Sequence, residues 1–508
     1  MIVEVIARQD TAARPPVQYS SNGELLIIGT AALAMPLAEQ LAPQLLVTVV
    51  LTDGPLQASL PGQVRFPVYA GQVLAVTGWL GAFEASWQGR GVPGAVTNLN
   101  VDLVLDLLET PLLSMHVAPR GYYRPGCDTA AQQAAAAELV QLVGQFDKPV
   151  FFQYKERLCA HSRNAQPGCN KCIDVCSAQA IYSAGDRIVV NPSLCAGCGA
   201  CSTVCPSGAL RYGHPPAAQV GELMKAAIDA HYLVFATAPD VLFNAYAGEN
   251  WPEHVIGVAV QDIASVGMDL WMAALAYGAG NVSLLCPADE APLSRAALRD
   301  QIGMAQSMLS ALGIAPGRIG LLEDGYAPAV AQRPVAERAK FKLPADKRNT
   351  LDMALSHLYQ HAPSPQVVSP LPAGSPYGGL AVDKAACTLC MSCVGMCPSA
   401  ALQDGASAPQ LRFIEANCVQ CTLCVNACPE DALTLVPRLS FASDVKTPVV
   451  INETVPFCCI RCNKAFGTLK MVQAMLARLG QHSAFRDHPE RMQMCGDCRV
   501  IDMMKSKQ

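Results

Sequence analysis

Three runs of cysteines in this 508-residue chain share the spacing Cys-x2-Cys-x2-Cys-x3-Cys-Pro. The runs are Cys195, Cys198, Cys201 and Cys205; Cys387, Cys390, Cys393 and Cys397; and Cys418, Cys421, Cys424 and Cys428. Three thiolates at i, i+3 and i+6 on a curled loop can bind one cubane of iron and sulfide, while the fourth starts a short helix that leads away. A four-thiolate zinc site is the alternative, but it needs neither the third cysteine nor the Cys-Pro step. The spacing therefore predicts [4Fe–4S] clusters and the transfer of single electrons.

A fourth cysteine run is looser than the other three. It consists of Cys159, Cys169, Cys172 and Cys176, and Ser177 stands where the other runs have proline. We expect Cys159 to be a cluster ligand in spite of its distance from Cys169. The alternatives are Cys127 as the ligand, or a [3Fe–4S] cluster that does without it.

The four runs form a duplicated pair. Cys195 and Cys205 repeat at Cys418 and Cys428 with one common offset, and Cys172 and Cys176 repeat at Cys393 and Cys397 with an offset two residues shorter. The offset between Cys159 and Cys387 differs from both of these offsets. The first copy therefore carries an insertion between Cys159 and Cys169, which contains His161, Arg163 and Pro167. We expect this altered loop to contact a partner or to tune a potential.

The C-terminal region carries two further cysteine pairs, Cys459-x2-Cys462 and Cys495-x2-Cys498. Two such knuckles on either side of a helix-like stretch are the usual frame of a structural zinc site. We therefore predict that one zinc ion is bound here. Another iron–sulfur centre or a set of free thiols is the alternative, and Cys458 could substitute for Cys459.

Strand-like and helix-like segments must position these cysteines. Apolar runs predict strands, and apolar periodicity with capping residues predicts helices; residues 101–108 fit either. The predicted strands are 25–28, 45–51, 232–236, 255–260 and 281–285, and the predicted helices are 31–41, 129–143, 268–277, 294–312, 350–361 and 468–479. Because strands alternate with helices between 214 and 330, a parallel sheet is favoured there.

Residues 155–210 and 379–437, which contain the four runs, resemble bacterial two-cluster ferredoxins. In that family the fourth cysteine of each run binds the cluster of the other run. The resemblance implies four ligand sets: Cys159, Cys169, Cys172 and Cys205; Cys195, Cys198, Cys201 and Cys176; Cys387, Cys390, Cys393 and Cys428; and Cys418, Cys421, Cys424 and Cys397.

The expected fold is a mixture of α+β and α/β domains. Two ferredoxin-like dicluster modules are interleaved with α/β domains and followed by a small four-cysteine module. The expected boundaries are 1–150 for an α/β domain, 151–213 for the first module, 214–362 for a second α/β domain with a helical end, 363–378 for a proline-rich linker, 379–437 for the second module and 438–508 for the zinc-ribbon-like tail.

Composition limits the partners and the compartment. The net charge of −5 and the absence of a basic stripe argue against nucleic-acid binding. The least charged stretch, 25–52, contains Pro36 and Pro43 and reads as strand, helix and strand, so no membrane span is expected. The first residues lack the regions of a signal peptide, and the cysteines have metal-ligand spacing, which favours the reducing cytoplasm.

The N-terminal region contains only part of a dinucleotide-binding motif. The turn at Ile28, Gly29 and Ala31 lies where a dinucleotide fingerprint would, but it has only the first glycine. Without the second glycine the pyrophosphate cannot approach the turn closely, so a flavin is not expected.

As a whole, the chain resembles proteobacterial 4Fe–4S proteins encoded beside molybdenum-dependent formate dehydrogenases. The segments that carry this resemblance are Leu158–Arg163, Ala264–Asp269 and Phe457–Cys462. It implies an electron-transfer protein or subunit, without its own substrate site, that exchanges electrons with redox partners such as that dehydrogenase. An assembly or redox-sensing factor for a molybdenum enzyme and a flavin-bearing oxidoreductase are the alternative hypotheses.

Overall fold

The computed structural model describes residues 2–4, 15–53, 65–89, 96–227, 232–237, 255–323, 332–344, 346–406, 408–483 and 485–505. Helices and strands are mixed along these ranges, and the strands form sheets of two to seven members. No helix within them combines the length and the apolar composition that crossing a bilayer requires.

The N-terminal region is built on a seven-stranded mixed sheet. In order across it, the strands are Val96–Val101, Phe83–Gly89, Val68–Thr77, Leu46–Leu51, Glu24–Gly29, Leu103–Asp106 and Tyr122–Tyr123. Residues 25–28 are buried on both faces because the central strand is covered on each side, as the apolar run predicts. The segment that fitted strand or helix contains the strand Leu103–Asp106.

Two helices and a two-stranded ribbon complete this region. The helix Ala31–Leu41 has the predicted bounds, and Thr129–Val140 ends three residues earlier than predicted. Asp128 caps the second helix by accepting hydrogen bonds from the N–H groups of Ala130 and Ala131. The ribbon pairs Val17–Ser21 with Gly144–Lys148 and brings Lys148 to the border of the first cysteine module.

The second α/β region contains the parallel sheet that the sequence favours. Its strand order is Ile2–Glu4, Val255–Ala259, Tyr232–Ala236, Asn281–Leu285 and Ile319–Leu322, all parallel. Its helices are Ala217–Ala227, Met268–Ala276, Pro292–Ala311 and Lys347–His361, with a 3-10 turn at Ile263–Ser265. The first strand comes from the extreme N-terminus, so this sheet reaches outside the 214–362 segment expected to form it.

The cysteine modules are made of short elements around the ligand loops. In the first, Phe152–Tyr154 pairs with Leu210–Tyr212, Ser162–Arg163 with Gln166–Pro167, and Ile181–Ala184 with Arg187–Val190; its helices are Lys171–Asp174 and Ala200–Val204, with a 3-10 turn at Glu156–Leu158. In the second, the helices are Ser392–Met396 and Leu423–Asn426, with a 3-10 turn at Glu415–Asn417.

Two small sheets tie the second module to its flanking segments. One contains Val368–Pro370, Leu433–Ser440 and Gly378–Val382, and the other contains Leu402–Asp404, Gln410–Phe413 and Val449–Glu453. The proline-rich segment is therefore not a free linker: it supplies an edge strand, where Pro370 is tolerated because an edge strand need not donate every hydrogen bond. The strand Val449–Glu453 likewise belongs to a sheet of the module, although the sequence assigned it to the tail.

The C-terminal tail is a hairpin followed by two helices. The hairpin pairs Pro456–Cys458 with Ala465–Thr468, and the helices are Leu469–Leu479 and Gly496–Lys505, separated by a 3-10 turn at Pro489–Gln493. Thr468 caps the first helix and also donates to the backbone oxygen of Thr388, at 2.7 Å, within the Cys387 ligand loop. The tail is thus docked directly on the second module.

Candidate iron–sulfur and zinc sites

The three regular ligand loops share one backbone conformation. In each, the residues on either side of the second cysteine have positive φ: Gly197 and Gly199, Leu389 and Met391, and Gln420 and Thr422. This conformation turns successive N–H groups toward one centre, which forms a concavity suited to an anion. It costs non-glycine residues about 1–2 kcal/mol each. The loops therefore hold strained residues in the arrangement that an anionic cluster requires.

The fourth cysteines also share a turn, and the looser run has it too. The third residue after each of them has positive φ: Gln179, Gly208, Ala400 and Asp431. A backbone N–H then donates to the sulfur of Cys176 at 3.2 Å, of Cys205 at 3.4 Å and of Cys428 at 3.4 Å. At this turn, the run that ends in Ser177 therefore has the same backbone conformation as those that end in proline.

The sixteen cysteines gather into four groups. Within each group, burial raises the pKa of the central thiol, and the other three cysteines raise it further because their negative charges would lie close by. The groups, with the central cysteine first, are Cys172 with Cys205, Cys169 and Cys159; Cys201 with Cys198, Cys195 and Cys176; Cys393 with Cys390, Cys387 and Cys428; and Cys424 with Cys421, Cys418 and Cys397. Four neighbouring thiols that repel one another as anions need a cationic centre to ionise together, as a metal cluster provides.

The groups lie next to one another in pairs. The charge of Cys172 also raises the pKa of Cys201, which belongs to the other group of its module. In the same way, the charge of Cys393 raises the pKa of Cys424. Each module therefore places its two groups side by side.

In each module, one of the two groups borders a cavity. One cavity, of about 500 Å³, is lined by Cys176, Cys195, Cys198 and Cys201, and it extends to Asp262, Asp289 and Glu290 of the parallel-sheet region. The residues Thr237, Asp262 and Pro287 on its wall follow three strands of that sheet at their carboxyl ends. A second, small cavity is lined by Cys387, Cys390, Cys393 and Cys428 with Leu411 and Leu433, and Cys390 is exposed.

The insertion between Cys159 and Cys169 is a β-hairpin. Its two-residue turn, Asn164–Ala165, has positive φ at both positions, and the carboxylate of Asp186 accepts hydrogen bonds from both of their N–H groups. The buried ring of His161 contacts the backbone oxygen of Cys169 at 3.2 Å and the hydroxyl of Ser183 at 2.8 Å. The insertion therefore keeps Cys159 in its group, whereas Cys127 is exposed.

Three cations from outside the ligand loops bind the backbone oxygens of ligand cysteines. Lys148 Nζ donates to Cys195 O at 3.0 Å, Lys347 Nζ to Cys205 O at 3.2 Å, and an Arg348 Nη to Cys418 O at 3.2 Å. These contacts could not be predicted from the sequence, because nothing in the local pattern distinguishes these residues from other cationic side chains. They add positive charge beside three of the four groups.

The tail brings the four knuckle cysteines to one point. The sulfurs of Cys459, Cys462, Cys495 and Cys498 all lie within 4.8 Å of one another. Tetrahedral zinc, with Zn–S distances of about 2.3 Å, separates its sulfurs by about 3.8 Å, and Cys462 and Cys495 lie 3.7 Å apart. Cys458 is exposed and is not part of the group. The residues therefore fit a structural zinc ion.

Hydrogen bonding prepares one of these thiols to bind a cation. Burial opposes the ionisation of Cys459, but N–H groups of Cys495, Cys462 and Arg461 outweigh it and lower the pKa of Cys459 to about 6. These hydrogen bonds therefore favour its thiolate form. Thiolates are the form in which cysteine binds metals.

The turn with the incomplete dinucleotide fingerprint is already occupied by a side chain. The carboxylate of Asp53 accepts a hydrogen bond from the N–H of Ala31, at 2.7 Å, at the start of the Ala31–Leu41 helix. This is where a pyrophosphate would bind. A methyl group on Gly29 would lie 2.9 Å from Leu107 Cβ, so this glycine serves packing.

Comparison with known families finds the same pattern twice. Residues 167–209 and residues 386–433 each match the 4Fe-4S dicluster domain. The chain therefore contains two ferredoxin-type 4Fe–4S dicluster domains. The first match begins at the end of the inserted hairpin and leaves Cys159 outside, whereas the second includes Cys387. No curated protein matches the chain.

Proposed function

We propose that this chain is an electron-transfer protein, or an electron-transfer subunit, that holds four [4Fe–4S] clusters and one structural zinc ion. The observation that carries the proposal is the gathering of the sixteen cysteines into four groups within and around two dicluster domains. Such clusters, when bound, supply reversible one-electron chemistry. The twenty cysteines named in the four groups and the tail are the residues proposed to hold the metals.

The surrounding residues would tune the potentials and control access. N–H donors to the cysteine sulfurs and nearby cations favour the more negative, reduced state of a cluster, and therefore raise its potential. The cavity lined by Asp262, Asp289 and Glu290 gives access to the Cys195 group. In the second module, the exposed Cys390 gives access to the Cys390 group. We propose these two places as docking points for redox partners.

Metal analysis with EPR on anaerobically purified protein tests this proposal. Four cubanes and one zinc site predict about sixteen iron atoms and one zinc ion per chain. Reduction should then give signals of four spins per chain. A yield of eight iron atoms or fewer from fully reconstituted protein would refute the four-cluster assignment, and absence of zinc would refute the assignment of the tail.

For the physiological partner, we propose a cytoplasmic dehydrogenase such as a molybdenum-dependent formate dehydrogenase. The three segments that carry the resemblance border metal groups: Leu158–Arg163 contains Cys159, Phe457–Cys462 contains Cys459, and Ala264 accepts a hydrogen bond from Thr203 beside the Cys201 group. Formate should reduce the clusters only when that dehydrogenase is present. If deletion of the protein instead left the dehydrogenase without its molybdenum cofactor, an assembly role would replace electron transfer.

A further inference from the structure

The two dicluster modules meet at the inserted hairpin. The side-chain amide of Asn426, in the second module, donates to Pro167 O at 2.7 Å, and that of Asn164, in the hairpin, lies 3.6 Å from the sulfur of Met396. Ala160 of the first module is buried together with Met396 and Leu423 of the second. The insertion that distinguishes the first module therefore forms the contact between the modules.

This contact includes one ligand cysteine from each module. Cys169 and Cys421 both pack against the buried group of Ala160, Met396 and Leu423. The two loops approach so closely that a methyl group on Gly168 would lie 2.8 Å from Leu423 Cγ. Gly168 precedes Cys169 directly, and Leu423 lies between Cys421 and Cys424. The two ligand loops are therefore in direct contact.

A second contact, on a different element, brings the same two groups together. Lys347 and Arg348 are neighbours in the first turn of the Lys347–His361 helix. The Lys347 ammonium binds Cys205 O, in the group of Cys169, and the Arg348 guanidinium binds Cys418 O, in the group of Cys421. Because consecutive Cα atoms are only about 3.8 Å apart, one helical turn anchors both groups.

We propose that the four groups form a single row and that electrons pass between the modules at Cys169 and Cys421. The order in the row is the Cys195 group, the Cys169 group, the Cys421 group and the Cys390 group. The inference rests on the proposed function, since it requires [4Fe–4S] clusters in these groups. At the crossing, one cluster goes from the 1+ to the 2+ state as its neighbour goes from 2+ to 1+. No proton moves and no bond changes.

Selective removal of clusters from the full-length protein tests the row. Cys195→Ala with Cys198→Ala removes the outer cluster of the first module, in the Cys195 group. The inner cluster, in the Cys169 group, then has one neighbour left, the cluster across the contact. Cys159→Ala with Cys172→Ala is the matched control, because it removes the inner cluster and leaves the outer cluster without a neighbour. Each variant should keep about twelve iron atoms. EPR of the reduced proteins then shows which clusters have a magnetic neighbour.

In the first variant we expect only signals broadened by spin–spin coupling. In the control we expect one narrow, uncoupled signal that integrates to one spin per chain. A narrow one-spin signal in the first variant would overturn the row, because the inner cluster would then have no neighbour across the contact. A wild-type protein with eight iron atoms or fewer would instead refute the four-cluster assignment itself.

The second module offers the mirror experiment if a first-module variant fails to fold. Cys387→Ala with Cys390→Ala should leave every remaining cluster coupled. Cys418→Ala with Cys421→Ala removes the cluster of the Cys421 group. The cluster of the Cys390 group should then have no magnetic neighbour and give an uncoupled signal. An uncoupled cluster in the Cys421 group of the former variant would contradict the row from the other side of the contact.

Discussion

Lys347 and Arg348 are consecutive residues of one helix, yet their side chains bind the ligand loops of different modules. Lys347 also donates to Ser202 O at 2.7 Å and to Thr203 O at 2.6 Å, and so binds the carboxyl end of the Ala200–Val204 helix. Arg348 lies over the ring of Tyr377, with its guanidinium carbon 3.5 Å from the ring centre. Both side chains are therefore fixed from several directions.

The first prediction concerns the potentials of the two inner clusters. Lys347→Gln should lower the potential of the Cys169 group, and Arg348→Gln that of the Cys421 group, because each removes a positive charge that favours the reduced state. We expect shifts between about 40 and 170 mV at most, since a unit charge near a partly buried site contributes about 1–4 kcal/mol and 1.4 kcal/mol corresponds to about 59 mV for one electron. EPR-monitored redox titration measures both potentials.

Arg299→Gln is the matched control for these charge changes. Arg299 is exposed on the Pro292–Ala311 helix and pairs with Glu323, and neither residue is a cluster ligand. Its replacement should leave all cluster potentials unchanged. If Arg299→Gln shifted them as much as Lys347→Gln does, a general charge effect would explain the result and the local role of Lys347 would be wrong.

The second prediction concerns the close approach at Gly168. A methyl group there would lie 2.4 Å from Ala160 O and 2.8 Å from Leu423 Cγ, so the ligand loop must move away. We expect Gly168→Ala to destabilise the protein by about 1–3 kcal/mol through overpacking and to weaken the magnetic coupling across the contact. Urea unfolding followed by cluster absorbance, together with EPR, provides both measurements.

Gly303→Ala makes the same chemical change in open space. Gly303 lies within the Pro292–Ala311 helix, and nothing lies within 4 Å of an added methyl group. Because alanine is the better helix former, we expect this variant to be more stable by about 0.5–1 kcal/mol. Equal stability of the Gly168→Ala variant and the wild type would show that the two loops are not in contact.

The third prediction concerns pH. Burial, and then the charge of Glu290, raise the pKa of Asp262 to about 7, whereas an unfolded aspartate titrates at about 3.9. Between these pH values the folded chain holds a proton that the unfolded chain has released, so stability should fall as pH rises through this window, by up to about 1.4 kcal/mol per pH unit. Asp262→Asn should remove this loss.

The asparagine variant keeps the acceptor that Asp262 offers to the N–H of Ala264. Its urea midpoint should therefore exceed that of the wild type most clearly above about pH 7 and least below about pH 4. Asp289→Asn changes an exposed carboxylate that lines the same cavity and serves as the control. Parallel pH profiles for the wild type and Asp262→Asn would contradict the prediction.

The fourth prediction concerns the tail. Cys459→Ser should abolish zinc binding, because it removes one of four converging sulfurs. Cys458→Ser changes the adjacent, exposed cysteine and should leave about one zinc ion per chain. In both variants the iron content should stay at about sixteen atoms. Zinc loss in the Cys458→Ser variant would mean that the knuckle uses the other cysteine.

Apolar periodicity predicted several of the strands and helices outside the cysteine modules. The strands Tyr232–Ala236 and Asn281–Leu285 and the helix Ala31–Leu41 have the bounds that apolar periodicity indicates. This is possible because an element that is buried on one or two faces has apolar residues at regular intervals in the sequence. The turn after Cys176 could not be read in this way, since Gln179 gives no sign of its positive φ.

Long-range contacts could not be predicted from the sequence. Lys347 is about 140 residues from the carbonyl groups that it binds, and Asn426 is 259 residues from Pro167. No local propensity encodes such pairs. The prolines of 363–378 indicated a linker because proline disfavours most strand positions, but Pro370 occupies an edge strand, where that penalty does not apply.

The single helical turn that carries Lys347 and Arg348 has a consequence for the rate of electron transfer between the modules. Electron tunnelling slows steeply as the gap between donor and acceptor widens, so modules that moved independently would conduct intermittently. In the proposed row, the ligand loops on the two sides of the gap bind adjacent residues of one helix. We expect motion of that helix to carry both loops together, so that the width of the gap changes little while the rest of the molecule moves.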